Sequence, residues 1–331
     1  MISYDIYGIG NALLDTEYEA TDEFLRRNRV DKGRMTLIDN ARRSQLLAAV
    51  NSAPHDVAAG GSAANAIYAA QGFGCRNYFA GLVCGDAVGN TFRSELAKAG
   101  IDTLPPDENP NAHSGQCLIF VTKDGQRSMN TSLGISESID TNHVDETTVA
   151  TSQWTYVEGY LASSITGANA AKHAMEIAKA NGRKTSLTLS DVSIVENFRA
   201  ALAEIMGQGV DLIFCNVEEA LAWGETDRLD IAGRRLLDIG RNAVVTVSEK
   251  GCYLSTAEQV NVKVDGFPVQ PVDSNGAGDM YAGALLASLR QGTRLDQAAR
   301  FANFAASHIV RQFGPRLKSF EAYGEIAGHY R

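Results

Sequence analysis

The stretch Val272-Asp273-Ser274-Asn275-Gly276-Ala277-Gly278-Asp279-Met280-Tyr281-Ala282-Gly283-Ala284 constrains this chain more than any other. A strand-like run passes through a turn of small residues and enters an apolar helix. Gly276, Ala277 and Gly278 have almost no side chain, so bare backbone N–H groups line the turn. They sit where the helix dipole is positive, which makes an anion site. Asp279 follows in the helix's first turn. A carboxylate there is poorly suited to bind anions, but it is well placed to take a proton from a hydroxyl attacking a phosphate. A plain helix start, with small residues for the turn and Asp for the dipole, has the same pattern.

Composition narrows the class. The chain has 331 residues, 44% hydrophobic and 21% charged, which fits a globular protein with a large core. A formal net charge of -9 argues against nucleic acid and acidic membranes as partners. It leaves ATP open, because a local helix terminus overrides a global field. The five cysteines (Cys75, Cys84, Cys117, Cys215, Cys252) are scattered and odd in number, so free thiols in a reducing cytoplasm are expected. No basic segment followed by an apolar run opens the chain, and no apolar run reaches the ~20 residues that span a bilayer, so neither leader nor membrane span is expected. The histidines show no metal-ligand spacing.

The order of elements predicts an α/β protein. Residues 3–10 read as a first buried strand. Gly8-Ile9-Gly10-Asn11-Ala12-Leu13 only half-matches a dinucleotide fingerprint, since Leu13 stands where the third glycine belongs. A polar extended run, a helix over 21–28 and a strand over 35–38 form an excursion before the first long helix, 40–50, which Asn40 caps. Strands are expected at 57–59, 76–83, 154–158, 185–189, 211–215 and 243–247. Helices are expected at 62–71, 88–99, 166–180, 195–206, 217–223, 227–239 and 295–310. A hairpin around Lys123-Asp124-Gly125 makes a second excursion. An antiparallel pair at 252–255 and 260–264 closes one edge. Such alternation implies a mostly parallel sheet covered on both faces, with ligands beyond the carboxyl ends of its strands.

A second glycine turn opens another helix at Ala59-Gly60-Gly61-Ser62-Ala63-Ala64-Asn65-Ala66, followed by Gly81-Leu82-Val83-Cys84-Gly85-Asp86-Ala87-Val88-Gly89-Asn90. These blocks and the Asp273–Asp279 block, in this order and separated by well over half the chain, resemble the two signatures of the PfkB (ribokinase-like) family of sugar and nucleoside kinases. The resemblance covers essentially the whole chain. It implies a ribokinase-like three-layer α/β/α domain over 1–331, with a mostly parallel central sheet. The excursions at about 12–39 and 111–133 would form a small β lid.

The resemblance also implies roles. Asp279 would be the general base, and the amides of Gly276, Ala277 and Gly278 the hole for charge on the transferred phosphate. Asp273 would support the metal or the loop, or be an ordinary turn aspartate. Asn216-Val217-Glu218-Glu219 matches the family's N-x-x-E element, so Asn216 and Glu219 would hold Mg²⁺ through waters; the same four residues also spell a capping box. Thr246 and Gly251 would border ATP, and Asn303 would line the adenine pocket or be a helix-surface asparagine. No G-x-x-x-x-G-K-[ST] occurs, which excludes a P-loop.

Asn11 and Asp15 stand four positions apart, a spacing similar to adenosine kinases rather than to ribokinase-like sugar kinases. The run from Asp22 to Leu37, Asn275, and the absence of lysine from Gly60-Gly61-Ser62 point the same way. Asp15 would then grip two ribose hydroxyls. Gly61, Ser62 and Asn65 would hold the sugar edge, and Leu37, Cys117 and Leu161 would wall the base unless they are ordinary packing. Arg127 would meet phosphate or stand solvated on the hairpin. The expected activity is ATP- and Mg²⁺-dependent phosphorylation of a nucleoside 5′-hydroxyl, adenosine to AMP foremost, by a cytoplasmic monomer or lid-joined homodimer. Ala12 and Ala63-Ala64 depart from the adenosine-kinase pattern near the sugar, which keeps inosine, guanosine or a plain sugar open. A catalytically idle nucleotide sensor is the reading from another class; the intact Gly276–Asp279 block speaks against it.

Overall fold

The structure, a computed structural model, describes residues 2–330. Its strands are β1 (Tyr4–Ile9), β2 (Leu13–Glu19), β3 (Met35–Leu37), β4 (Asp56–Gly60), β5 (Asn77–Ala80), β6 (Asp102–Thr103), β7 (Gly115–Val121), β8 (Arg127–Ser132), β9 (Ser152–Glu158), β10 (Lys184–Thr188), β11 (Leu212–Asn216), β12 (Asn242–Thr246), β13 (Gly251–Thr256) and β14 (Val262–Asp265). Nine form one sheet in the order β14-β13-β12-β11-β10-β9-β1-β5-β6. All neighbours from β12 to β6 run parallel, and β13 and β14 add an antiparallel edge.

The parallel strands are apolar on both faces because helices cover both. On β1, Ile6 belongs to one core and Tyr7 and Ile9 to the other. The first core takes in the helices Ser62–Gly72, Ala277–Leu289 and Leu295–Ile309; the second takes in Ile165–Ala180 and Val192–Met206. This is the ribokinase-like layered α/β arrangement.

A five-stranded sheet, ordered β3-β8-β7-β2-β4, stands apart from the large one. The chain passes into it from β1 through Gly10-Asn11-Ala12, so β2 starts directly above the carboxyl end of β1. Its own small core holds Tyr18, Leu25, Leu46, Leu118 and Phe120.

The run through Val272-Asp273 into the glycine turn is not a strand, and three further details differ from the pattern-based expectation. The strand around Val57-Ala58-Ala59 is β4, which pairs antiparallel with β2 in the small sheet and takes no part in the parallel core. The helix Asn40–Ala49 is capped by Asp39, whose carboxylate accepts from the Arg42 amide at 2.7 Å; Asn40 is the first helical residue. A terminal helix, Phe320–Tyr330, packs Tyr323 against Gly72 and had no clear pattern, with Gly324 and Gly328 inside it. Among the described residues no helix is long and apolar enough to cross a membrane.

Candidate active site

A cavity of about 850 Å³ lies between the carboxyl ends of the large sheet and the small sheet. β2, β3, β7 and β8 contribute Asp15, Met35, Leu37, Cys117 and Arg127 to its wall; the helix starts contribute Ser62, Asn65 and the 273–279 turn. Asn11, Gly61, Leu161, Asn216, Glu219 and Thr246 also line it. Leu161 and Cys117 are buried, whereas Leu37 is 59% exposed at the rim.

The helix Ala277–Leu289 begins at Gly276, which has the left-handed φ of +75°. A Cβ there would lie 2.5 Å from Cα of Pro315, so conformation and space both demand glycine. No side chain caps this start. The Ala277 amide donates to the Ser274 carbonyl at 3.2 Å, while the next amides, Gly278 and Asp279, have no acceptor within the helix.

The Asp279 carboxylate faces the cavity. Its Oδ1 accepts from Ser62 Oγ at 2.7 Å and its Oδ2 from Asn65 Nδ2 at 3.1 Å. Both donors come from the helix that follows the first glycine turn, where Gly61 has φ +94° and a Cβ would lie 2.2 Å from the Asn11 carbonyl. Burial pushes the Asp279 carboxyl up to about 6, against the Ser62 and Asn65 hydrogen bonds and the Arg316 charge. A carboxylate poised there is mostly ionised at neutral pH and still basic enough to accept a proton.

Asp15, on β2, faces the same cavity. Burial raises its carboxyl to about 7, opposed by the charges of Arg316 and Arg127 and reinforced by Glu17 and Asp279. Asn11 is held from beneath by a residue the motif reading missed. Glu158, at the end of β9, accepts from the Asn11 amide at 3.3 Å, from Asn11 Nδ2 at 3.1 Å and from the Ala63 amide at 2.8 Å. Burial raises Glu158 to about 7. An acidic residue closing the apolar run Trp154–Val157 was the available signal. Ser136 Oγ completes the support, accepting from the Ala12 amide and donating to Asn11 Oδ1.

Asn216 and Glu219, after β11, form a reciprocal capping box: the Glu219 amide donates to Asn216 Oδ1 at 2.9 Å, and Glu219 accepts from the Asn216 amide at 3.1 Å and from Nδ2 at 2.6 Å. Burial raises Glu219 to about 7. The cap and an outward-facing role coexist, since each carboxylate oxygen keeps a free lone pair.

Thr246 ends β12 at the cavity wall. Gly251 and Asn303 do not line the cavity. Asn303 is buried, and its Nδ2 donates to the carbonyls of Val264 and Asp265 at 3.2 Å each, fastening β14 to the last long helix. Its burial rules out a bare helix-surface asparagine. Arg127 is neither solvated nor free: it is 12% exposed and pairs with Glu17 and, at 3.3 Å, with Asp273. Asp273 also accepts from the Gly314 and Asn275 amides. It therefore ties the anion turn to the small sheet.

Comparison with known proteins agrees with this arrangement. The model of the pfkB family carbohydrate kinases matches residues 36–322. The adenosine kinase of Saccharomyces cerevisiae is 27% identical over 336 residues, covering 94% of this chain and 96% of its own. Among solved structures, an adenosine kinase from Sinorhizobium meliloti is 35% identical with a TM-score of 0.88, covering 98% of this chain and 99% of its own. A probable sugar kinase from Rhizobium etli is 31% identical with a TM-score of 0.89, covering 99% of both chains. A match over most of the length, on a layered fold with a carboxylate set at an amide-lined helix start, leaves one assignment: the chain belongs to the pfkB family of carbohydrate kinases, enzymes that transfer a phosphoryl group to an alcohol.

Proposed function

We propose that this kinase phosphorylates the 5′-hydroxyl of a nucleoside, adenosine foremost, with ATP as donor. The observation that carries the reading is the shared cavity of Asp15 and Asp279, whose two carboxylates line one space that could hold an acceptor. Asp15 accepts hydrogen bonds from two ribose hydroxyls, as an ionised carboxylate does best. Asn11, Gly61, Ser62 and Asn65 hold the sugar edge. Leu37, Cys117 and Leu161 wall the base. Asp279 takes the 5′-hydroxyl proton during in-line attack on the γ-phosphate. The amides of Gly276 and Gly278 stabilise charge on the migrating group, and Ala277 joins them when its turn bond to Ser274 gives way.

Thr246 and the turn before Gly251 border ATP, and Asn303 acts on that border through β14. Asn216 and Glu219 fit a magnesium ion held through its waters, because Glu219 faces the cavity and keeps lone pairs beyond its cap. That ion supplies neutralisation of the triphosphate charge. The small sheet acts as a lid on one kinase domain spanning 1–331; its closure excludes water and limits wasteful hydrolysis. The protein works in the cytoplasm, in purine salvage, as a monomer or a lid-joined dimer.

The similarity to a probable sugar kinase favours a second reading, with a sugar as acceptor. Turnover with ATP and magnesium over a panel of adenosine, inosine, guanosine, ribose and fructose separates the two. The proposal expects kcat/KM for adenosine to exceed every sugar by at least ~10². A sugar turned over better than every nucleoside would overturn it.

A further inference from the structure

Arg316 lies in none of the sequence motifs and does not line the cavity, yet it stands directly behind the site. It follows the Gly314-Pro315 turn that presses on Gly276. Its guanidinium lies 4.4 Å over the Tyr68 ring, and its Nε donates to Asn65 Oδ1 at 2.9 Å. Tyr68 and Asn65 share one face of the helix Ser62–Gly72, as residues three apart do. The Leu317 amide donates to Tyr323 OH at 3.1 Å, which pins the segment to the terminal helix.

The chemistry of the contact has a direction. Guanidinium groups only donate, so Arg316 selects the Asn65 orientation that turns Oδ1 towards it. The other end of the amide, Nδ2, must then point at Asp279, where it donates at 3.1 Å. Without Arg316, the amide is free to flip and set an oxygen against the carboxylate. Both Nη atoms are buried without a hydrogen-bond partner. A cation placed so has a large desolvation cost as mere packing.

We infer that Arg316 is a positioning residue for the phosphoryl transfer, acting through Asn65 to orient and keep ionised the Asp279 carboxylate. The inference rests on the reading of Asp279 as the base. The charged and titratable groups around Arg316 and the Asp279 carboxylate are Asp15 on β2, Tyr156 and Glu158 on β9, Tyr160 just beyond it, Glu95 and Tyr68 on neighbouring helices, and Tyr323 on the terminal helix. Among the described residues none of these bonds to a side chain that donates to Asp279, whereas Arg316 does, through Asn65.

The test is the pH profile of kcat/KM for adenosine, with ATP and magnesium, over about pH 5 to 9. Arg316→Gln should move the acid limb upward by about half a unit to one unit, so the loss is about three- to tenfold on the acid side and shrinks as pH rises. Arg316→Lys, which keeps the charge, should bring the limb back towards wild type. Arg316→Met is read by the same limb if the glutamine variant does not fold, and melting curves establish which variants are native. A limb at the wild-type position, or a loss by one factor at every pH, overturns the inference, because a purely structural defect acts so. Asp279→Asn is the control. Should it turn over adenosine like wild type, the base assignment itself fails; should it be inactive while the Arg316 profiles superimpose on wild type, only the inference fails.

Discussion

Ser62 Oγ donates to Asp279 Oδ1 at 2.7 Å, across 217 residues of sequence. The contact joins the two glycine turns of the chain. Each opens a helix, and the helices pack so that the first carries the donors and the second the acceptor. The turns are thus halves of one device, and the site needs both.

Ser62→Ala removes one of the two donors to Asp279 and leaves its Oδ1 without that partner in a half-buried setting. A hydrogen bond to a charged group contributes roughly 1.5–3 kcal/mol. The carboxyl should rise further above its value of about 6. A drop of about tenfold in kcat/KM near pH 6, narrowing at higher pH, is expected from a pH-rate series. A uniform drop would show that Ser62 serves only the sugar.

Gly276→Ala places a Cβ 2.5 Å from backbone of Pro315 in a left-handed residue. The conformation alone costs about 1–2 kcal/mol. The turn must shift to admit the methyl group, and its amides move with it. Melting temperature should fall by several degrees and turnover by ~10². An unchanged turnover at reduced stability would separate the amide turn from the chemistry.

Much of this was legible beforehand, for a physical reason. Parallel strands buried on both faces are short apolar runs, and the helices between them are longer and periodic, so the layered core shows in the order of elements. Pairing partners do not show. Val57-Ala58-Ala59 looks like any core strand, and only its antiparallel pairing with β2, which no local pattern marks, puts β4 in the small sheet. Local turns with a chemical signature, at Gly61 and Gly276, were readable because their backbone tolerates nothing else. Arg316 was not, since its partner Asn65 is 251 residues away and no spacing marks it.

Asn303→Ala removes the donor that holds the carbonyls of Val264 and Asp265. Two partly exposed acceptors lose a hydrogen bond each, a net contribution of roughly 0.5–1.5 kcal/mol apiece. Chemical denaturation should show a clear loss of stability, while kcat for adenosine at saturating ATP stays near wild type. A large rise in KM for ATP with stability intact would restore Asn303 to the adenine wall.

Four carboxyls, the buried Glu158 and Glu219 and the half-buried Asp15 and Asp279, have values raised to about 7, 7, 7 and 6. The folded state holds these protons at pH values where the unfolded chain has released them. Their favourable contribution is fully present below the unfolded values, near 4, and is lost as pH rises through about 6 to 7. The ligand-free protein should therefore have a higher denaturation midpoint at about pH 6 than at about pH 8, and Glu219→Gln should flatten the difference. A midpoint that climbs with pH over this range would contradict the burial of these groups.

The most direct measurement is the single-turnover rate of phosphoryl transfer from ATP to adenosine in Asp279→Asn, beside a calorimetric titration of adenosine into the same variant. The amide keeps the shape of the carboxylate but has no proton affinity to match. Adenosine binding within a few-fold of wild type with a transfer rate lower by ~10² or more is the predicted result. A transfer rate equal to wild type would remove Asp279 from the chemistry.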